Sequence, residues 1–270
     1  MQLREIFLLT ILLLCNNFLN AQAIDSLNEN PPRFIMYGDN YFISGIPLDK
    51  KITPSTSDVK FRFGFAHKIF NTPLLWGFSL YLTYQQKAFW DVYKESSPFR
   101  EVNYNPGVAF GKIITTNNFP LGIIFVELEH ESNGRDGIYT RSWNRVSFNS
   151  AWYIYKSFLL NFNFWIPFAI DKDMNKDILD FYGYYNISIN YHFNKNIRAT
   201  LSGHISDIND IKGNFTLGFL VNTSQKFNRY YYLQLFHGYG ENLLEYNQKR
   251  TMLRFGISFP GDFLDIIGLK

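Results

Sequence analysis

The feature that most constrains this chain is a period of two. From Ile124 one row of side chains reads Ile124, Val126, Leu128, His130 and Ser132, and the other reads Phe125, Glu127, Glu129 and Glu131. Successive side chains of a strand point to opposite faces, so the segment is a strand with one apolar and one polar face. The pattern recurs. Phe61, Phe63 and Phe65 alternate with Arg62, Gly64 and Ala66; Phe158, Leu160, Phe162, Phe164 and Ile166 oppose Asn161 and Asn163. Ile187, Ile189, Tyr191 and Phe193 oppose Asn186, Ser188, Asn190 and His192, and Phe215, Leu217, Phe219 and Val221 oppose Asn214, Thr216 and Gly218. Composition agrees: aromatics make up 19% of the residues while mean hydropathy is only −0.15, so apolar residues are abundant but interleaved.

About twelve such segments can be counted, near 33–46, 59–70, 74–92, 104–114, 120–132, 142–155, 158–168, 181–193, 197–206, 212–224, 230–242 and 251–260. Short connections (71–73, 115–119, 156–157, 194–196) alternate with longer, more charged ones such as KESSPFREVN, NGRDGIYTR and AIDKDMNKDILD. An even number of antiparallel strands with short turns at one end and long loops at the other is the transmembrane β-barrel pattern. Periodicity alone also suits a β-sandwich, which would bury the apolar rows in a shared core. Three features favour the membrane: the aromatic load, polar rows rich in uncharged Asn, Ser, Thr and Gly, and an export leader on a chain without a cysteine framework. The fold expected is an all-β transmembrane antiparallel barrel of about twelve strands, with its apolar rows facing lipid.

The leader expected is residues 1–23, leaving 24–270 as the barrel. Arg4 precedes an apolar run from Ile6 to Cys15, followed by the small-x-small triplet Ala21-Gln22-Ala23. The run is far below the roughly 20 residues that span a bilayer as a helix. Removing it removes the only cysteine, which excludes an internal disulfide, a thiolate metal site and a cysteine nucleophile. A net charge of +3 from scattered basic residues excludes a nucleic-acid surface.

Within this frame His130 and Ser132 continue an apolar row. The next segment places Asn144 with Val146, Phe148, Ser150, Trp152 and Ile154 on one face and Arg145, Ser147 and Asn149 on the other. A hairpin through NGRDGIYTR would gather His130, Ser132 and Asn144 on the outer wall near the long-loop rim, with Glu127, Glu129 and Arg145 pointing into the lumen. Polar groups facing hydrocarbon are costly. Chemistry supplies a reason: histidine can act as general base on a serine hydroxyl, with an asparagine oxygen fixing its tautomer. A headgroup-layer position, where polarity costs little, is the alternative. His67, His192, His204 and His237 are dispersed, lack metal-ligand spacing, and read as wall residues.

HESNGR followed by RSWNR resembles the active-site segment of the outer membrane phospholipase A family. YQQKAFWDV, SSPFREVNYNP, GYYNISINYH and GYGENLLEYN resemble further family stretches in the same order, covering the chain from about residue 59 onward. The resemblance implies a twelve-stranded outer-membrane barrel that hydrolyses acyl esters of glycerophospholipids and lysophospholipids, with calcium, as a homodimer. It implies Ser132 as nucleophile, His130 as base and Asn144 as the orienting residue, with calcium-bound water and backbone N–H groups meeting the oxyanion. It assigns calcium to the Arg135 carbonyl and the Thr140 hydroxyl, with Ser96 contributed by a second subunit. Departures are the first fifty residues, the tail GDFLDIIGLK, and Glu131 and Thr140 where the family more often carries glutamine and serine. The rival is a passive barrel, a pore without catalysis. Glu127, Glu129, Arg62, Arg145 and Arg254, all on inward rows, are expected to pair and fill the lumen instead.

Overall fold

The structure is a computed structural model that describes residues 33–116, 119–155, 157–170, 174–224 and 228–261; the expected leader and the tail beyond residue 261 lie outside these. Thirteen strands form one antiparallel sheet. β1 (Phe34–Met36) and β2 (Gly38–Pro47) both pair with β3 (Asp58–Lys68) and make a single stave. β4 (Ser79–Trp90), β5 (Phe99–Thr116), β6 (Phe119–Ser132), β7 (Ser142–Tyr155) and β8 (Phe158–Phe168) follow, each paired with the next. β9 (Tyr185–His192), β10 (Ile197–Asp207), β11 (Lys212–Val221), β12 (Tyr230–Gly238) and β13 (Arg250–Gly261) complete the circuit. β13 returns to β2, and β3 pairs β4, so the sheet closes as a barrel of twelve staves.

Closure leaves no open edge, and the two rows of each strand take opposite surroundings. Glu127, Glu129 and Glu131 are buried toward the lumen while Val126 and Leu128 stand exposed on the outer wall, Leu128 at 54%. Several strand bounds differ from the period-two expectation: β5 starts at Phe99 rather than near 104, β9 at Tyr185 rather than near 181 because 178–182 form a helical turn, and β12 ends at Gly238 rather than near 242. Two further departures have a local cause. The first strand breaks at Tyr37, where Gly38 takes φ +68° beside the Arg62 guanidinium; a Cβ there would meet Arg62 Nη2 at 2.9 Å. β4 starts at Ser79 rather than near 74. Pro73 offers no N–H to a ladder, and Leu75–Gly77 form a 3-10 turn whose Trp76 carbonyl accepts from Lys112 Nζ at 2.6 Å.

The long-loop end is capped from inside. α1 (Ile178–Tyr182), in the β8–β9 loop, packs Ile178 with Trp143, Leu243 and Tyr246. The β12–β13 loop is tied down as Leu243 N and Leu244 N donate to Asn103 Oδ1 and Glu101 Oε1, both at 3.1 Å. Arg254, 1% exposed, bridges Asp58 at 2.8 Å and Glu241 at 2.6 Å, and Lys60 reaches Glu241 at 3.0 Å. Beneath this cap lies a lumenal cavity of about 500 Å³ lined by polar side chains including Arg62, Asn161, Asn190 and Thr216.

Two lumenal residues depart from the expected charge pairing. Glu127 accepts from Tyr37 Oη at 2.7 Å, from Asn149 at 3.0 Å and from Thr83, with no arginine in the set. Arg62 donates to the Gln85 amide oxygen. The reason is register. Arg145 lies opposite Glu129 in the β6–β7 ladder and reaches Glu131 beside it, which leaves Glu127, a full repeat further down, to neutral donors.

Candidate active site

Pairing of β6 with β7 sets His130 directly opposite Asn144 and Ser132 opposite Ser142. The His130 ring then meets Asn144 Oδ1 through Nδ1 at 2.9 Å. The amide orientation follows from its other end, since Asn144 Nδ2 donates to the carbonyl of Ala169 at 3.3 Å. Oδ1 can only accept, so Nδ1 carries the hydrogen and the Nε2 lone pair is left free. Ser132 is two residues along the same face, roughly 7 Å at Cα, a span that an imidazole bridges. No hydrogen bond joins Ser132 to His130 among the described residues, a looseness common in catalytic pairs without substrate. All three residues are partly exposed on the outer wall.

Inward neighbours hold this face rigid. Arg145 grips Glu129 with two hydrogen bonds, at 2.9 and 2.8 Å, and Glu131 with one at 2.7 Å. Its guanidinium lies 4.3 Å from the Trp143 ring, whose Nε1–H donates to Glu131 at 3.1 Å. Ser147 donates to Glu129. On the β5 side, Pro106 falls in register opposite His130 and has no N–H to give; the Asn105 side chain donates to the His130 carbonyl at 2.9 Å instead.

The loop between the two strands is organised by buried Asn133. Its Oδ1 accepts from Arg141 N at 3.0 Å, its Nδ2 donates to Tyr139 O at 2.9 Å, and its own N–H donates to Arg141 O at 3.0 Å. Gly134 follows at φ +64°, a left-handed conformation that glycine adopts without strain. The loop thereby brings the Thr140 hydroxyl within 2.7 Å of the Arg135 carbonyl, so the two expected cation ligands of this chain stand side by side. Both are hard oxygen donors, the type calcium takes, and they fill only part of its six to eight positions. Ser96, with φ +64°, is exposed in the β4–β5 loop. Among the described residues no cluster of three or more His, Cys, Asp or Glu offers an alternative metal site.

Three contributors were missed by the pattern of side chains: the Ala169 carbonyl, the Asn105 amide and Asn133. Only Asn133 carried a signal, an asparagine before glycine at a strand end.

A closed twelve-strand barrel with an apolar outer wall defines an outer-membrane protein that spans the bilayer with its strands. The comparisons make that class specific. The sequence model of the family described as Phospholipase A1 matches residues 35–259, and the chain belongs to that family. Phospholipase A1 of Escherichia coli K12 is 29% identical over 250 residues, 85% of this chain and 82% of that protein. The Salmonella typhimurium phospholipase A1 is 28% identical over the same shares. Outer membrane phospholipase A from Escherichia coli superposes with a TM-score of 0.74 at 26% identity, covering 86% of this chain and all of the other. A Salmonella typhi outer membrane phospholipase, solved as a dimer with bound calcium, gives 0.73 at 26% identity over 86% and 94%. The protein is a phospholipase ester hydrolase of the bacterial outer membrane.

Proposed function

We propose that this chain hydrolyses both sn-1 and sn-2 acyl esters of glycerophospholipids, and those of lysophospholipids, with Ser132 as nucleophile, His130 as general base and Asn144 as its orienting partner. The observation that carries the reading is the His130–Asn144 contact on the outer wall. A tautomer-fixing hydrogen bond facing hydrocarbon has no structural use that an apolar pair would not serve better. In the first half-reaction Ser132 Oγ attacks the ester carbonyl while His130 Nε2 takes its proton. Nε2 then passes that proton to the departing lysolipid oxygen, and the acyl group remains on Ser132. In the second half Nε2 deprotonates water, which attacks the acyl carbonyl; fatty acid leaves and Ser132 regains its hydrogen. Asn144, held by Ala169, keeps Nδ1–H engaged so that Nε2 is always the basic nitrogen.

Calcium fits the oxygen donors present. The Arg135 carbonyl and Thr140 hydroxyl would hold it with Ser96 of the partner subunit, and the ion would supply positive charge where the oxyanion develops. Two ligands from one chain bind weakly, so a third from a second copy makes activity depend on a homodimer. Gln86 supports that assembly: it sits on the outer row, one lone pair of its Oε1 accepts from Tyr84 Oη at 2.8 Å, and its amide N–H would donate to the other lone pair of Oε1 on its symmetry mate. The Salmonella typhi relative, described as a dimer with bound calcium, supports both points. Residues 1–23 would be the export signal, removed on the way to the outer membrane.

The test is fatty-acid release from phospholipid micelles, first with calcium and then with a chelator. Release that stops on chelation and resumes on adding calcium bears the reading out; release indifferent to chelator would remove calcium from it.

A further inference from the structure

A second polar pair faces outward on the opposite side of the barrel. His237 continues the outer row of Tyr231, Leu233 and Leu235 on β12, pairs in register with Thr251 of β13, and meets its Oγ1 through Nδ1 at 2.9 Å. The ring lies 5.3 Å from that of outward-facing Phe215. The pair sits at the long-loop end, one step from the last ladder position, Gly238 opposite Arg250. The β12–β13 seam is six staves from β6–β7, so nothing in the ester chemistry uses it.

The surroundings combine cations without partners and carboxylates already engaged. Thr251 N donates to Asp49 Oδ2 at 3.1 Å and Leu48 N to Thr251 O at 2.9 Å, which docks the β2–β3 loop above the pair. That loop continues into Lys50 and Lys51, and Lys249 precedes Arg250 on the other side. All three lysines are exposed and none forms an ion pair among the described residues. Of the neighbouring anions, Glu245 is paired with Arg250 at 2.7 Å, and Asp49, which accepts from Thr251 N, is one charge against the three lysines. Beside the pair stands exposed Phe215, and below it the wall is apolar, with Leu233 and Phe255 exposed.

We propose that this seam binds the phosphate-bearing headgroup of an anionic membrane lipid. A phosphate oxygen at Nε2 selects the tautomer with its hydrogen on Nε2, and the Thr251 hydroxyl, free to donate or accept, then donates to Nδ1. The three lysines supply charge at headgroup height, and the acyl chains lie along Leu233, Phe215 and Phe255. An apolar wall below a histidine donor and unpaired lysines is the order of groups that a lipid presents, and that free phosphate does not.

The experiment uses dialkyl ether lipids, which have no acyl ester and survive any hydrolase. The detergent-solubilised protein is mixed with ether phosphatidic acid or ether phosphatidylcholine, and retained lipid is counted by native mass spectrometry. The wild type is compared with His237→Leu and with the triple variant Lys50→Gln, Lys51→Gln, Lys249→Gln, each checked for a folded barrel by its heat-modifiable gel mobility. Expected is preferential retention of phosphatidic acid, weakened roughly tenfold in either variant and by added salt, with phosphatidylcholine retention unchanged. Equal retention of the two lipids, or variants that hold phosphatidic acid as the wild type does, would overturn the proposal. If millimolar inorganic phosphate displaces the lipid completely, the seam is a free-phosphate site and the lipid assignment fails.

Discussion

At Ser132 the side chain supports no packing, so Ser132→Ala is expected to abolish ester hydrolysis while leaving a folded, heat-resistant barrel. Retained turnover would mean another nucleophile. The role proposed for Asn144 lies one step further back: without it His130 could still accept a proton but would no longer be held in one tautomer. Asn144→Ala should therefore lower kcat by about 10- to 100-fold, the usual cost of losing a histidine's orienting partner, with KM little changed. Glu241 belongs to the cap rather than the wall. Burial pushes its carboxyl pKa up, but Arg254 and Lys60 outweigh that and hold it well below 4.5. A depressed carboxylate contributes stability that is complete above its unfolded value and is lost as pH falls toward the folded one. Acid below about pH 4.5 should thus progressively weaken the wild-type cap. Glu241→Gln, which leaves buried Lys60 without a carboxylate and Arg254 with Asp58 alone, should cost on the order of 3 kcal/mol at neutral pH and flatten that acid dependence. Urea unfolding from liposomes across pH 3–7 is the measurement, roughly bracketing the carboxylate range.

Among the elements, the β6–β7 hairpin holds the proposed triad and its loop the proposed cation ligands. Asn133→Ala removes the side-chain bonds that fold this loop. It is expected to raise the calcium needed for half-maximal activity several-fold without lowering the barrel's thermal stability, as titration with calcium-buffered micelles would reveal. An unchanged calcium requirement would mean that the loop's backbone alone holds the Arg135 carbonyl and Thr140 hydroxyl in place. The hairpin was also the most legible element in the sequence. Parity alone put His130, Ser132 and Asn144 on one face and Glu129 and Arg145 on the other, because period two admits no intermediate orientation. What parity could not supply was anything contributed by backbone or loop. The Ala169 carbonyl that fixes the Asn144 amide has no side-chain signature, since it lies in the backbone just past the end of β8. The turn at Trp76 was hidden for the opposite reason. Trp76 and Phe78 continue the alternating rhythm of Leu80 and Leu82 on β4, although Pro73 and a left-handed Trp76 take the residues before Ser79 out of the ladder.

For the whole molecule, the arrangement separates two faces of one barrel: a charged, capped lumen and an apolar wall interrupted by chemistry. The cap formed by α1 and the β12–β13 loop, with Arg254 between Asp58 and Glu241, should deny the protein the large steady conductance of a porin in a planar bilayer. Dimerisation belongs at this scale too. Calcium with a substrate analogue is expected to shift the detergent-solubilised protein from monomer to dimer in sedimentation, and Ser96→Ala to weaken calcium activation without unfolding the barrel. Full activity from a strictly monomeric species would refute a shared cation site. The central claim is that a serine on the lipid-facing wall is the nucleophile, and it is tested most directly by covalent trapping. The protein is treated with a long-chain alkylsulfonyl fluoride in calcium and mapped by peptide mass spectrometry. One adduct is expected, on Ser132, formed in step with loss of fatty-acid release and absent from Ser132→Ala. Inactivation with the adduct on any other residue, or an unmodified Ser132 in fully inactivated protein, would contradict it.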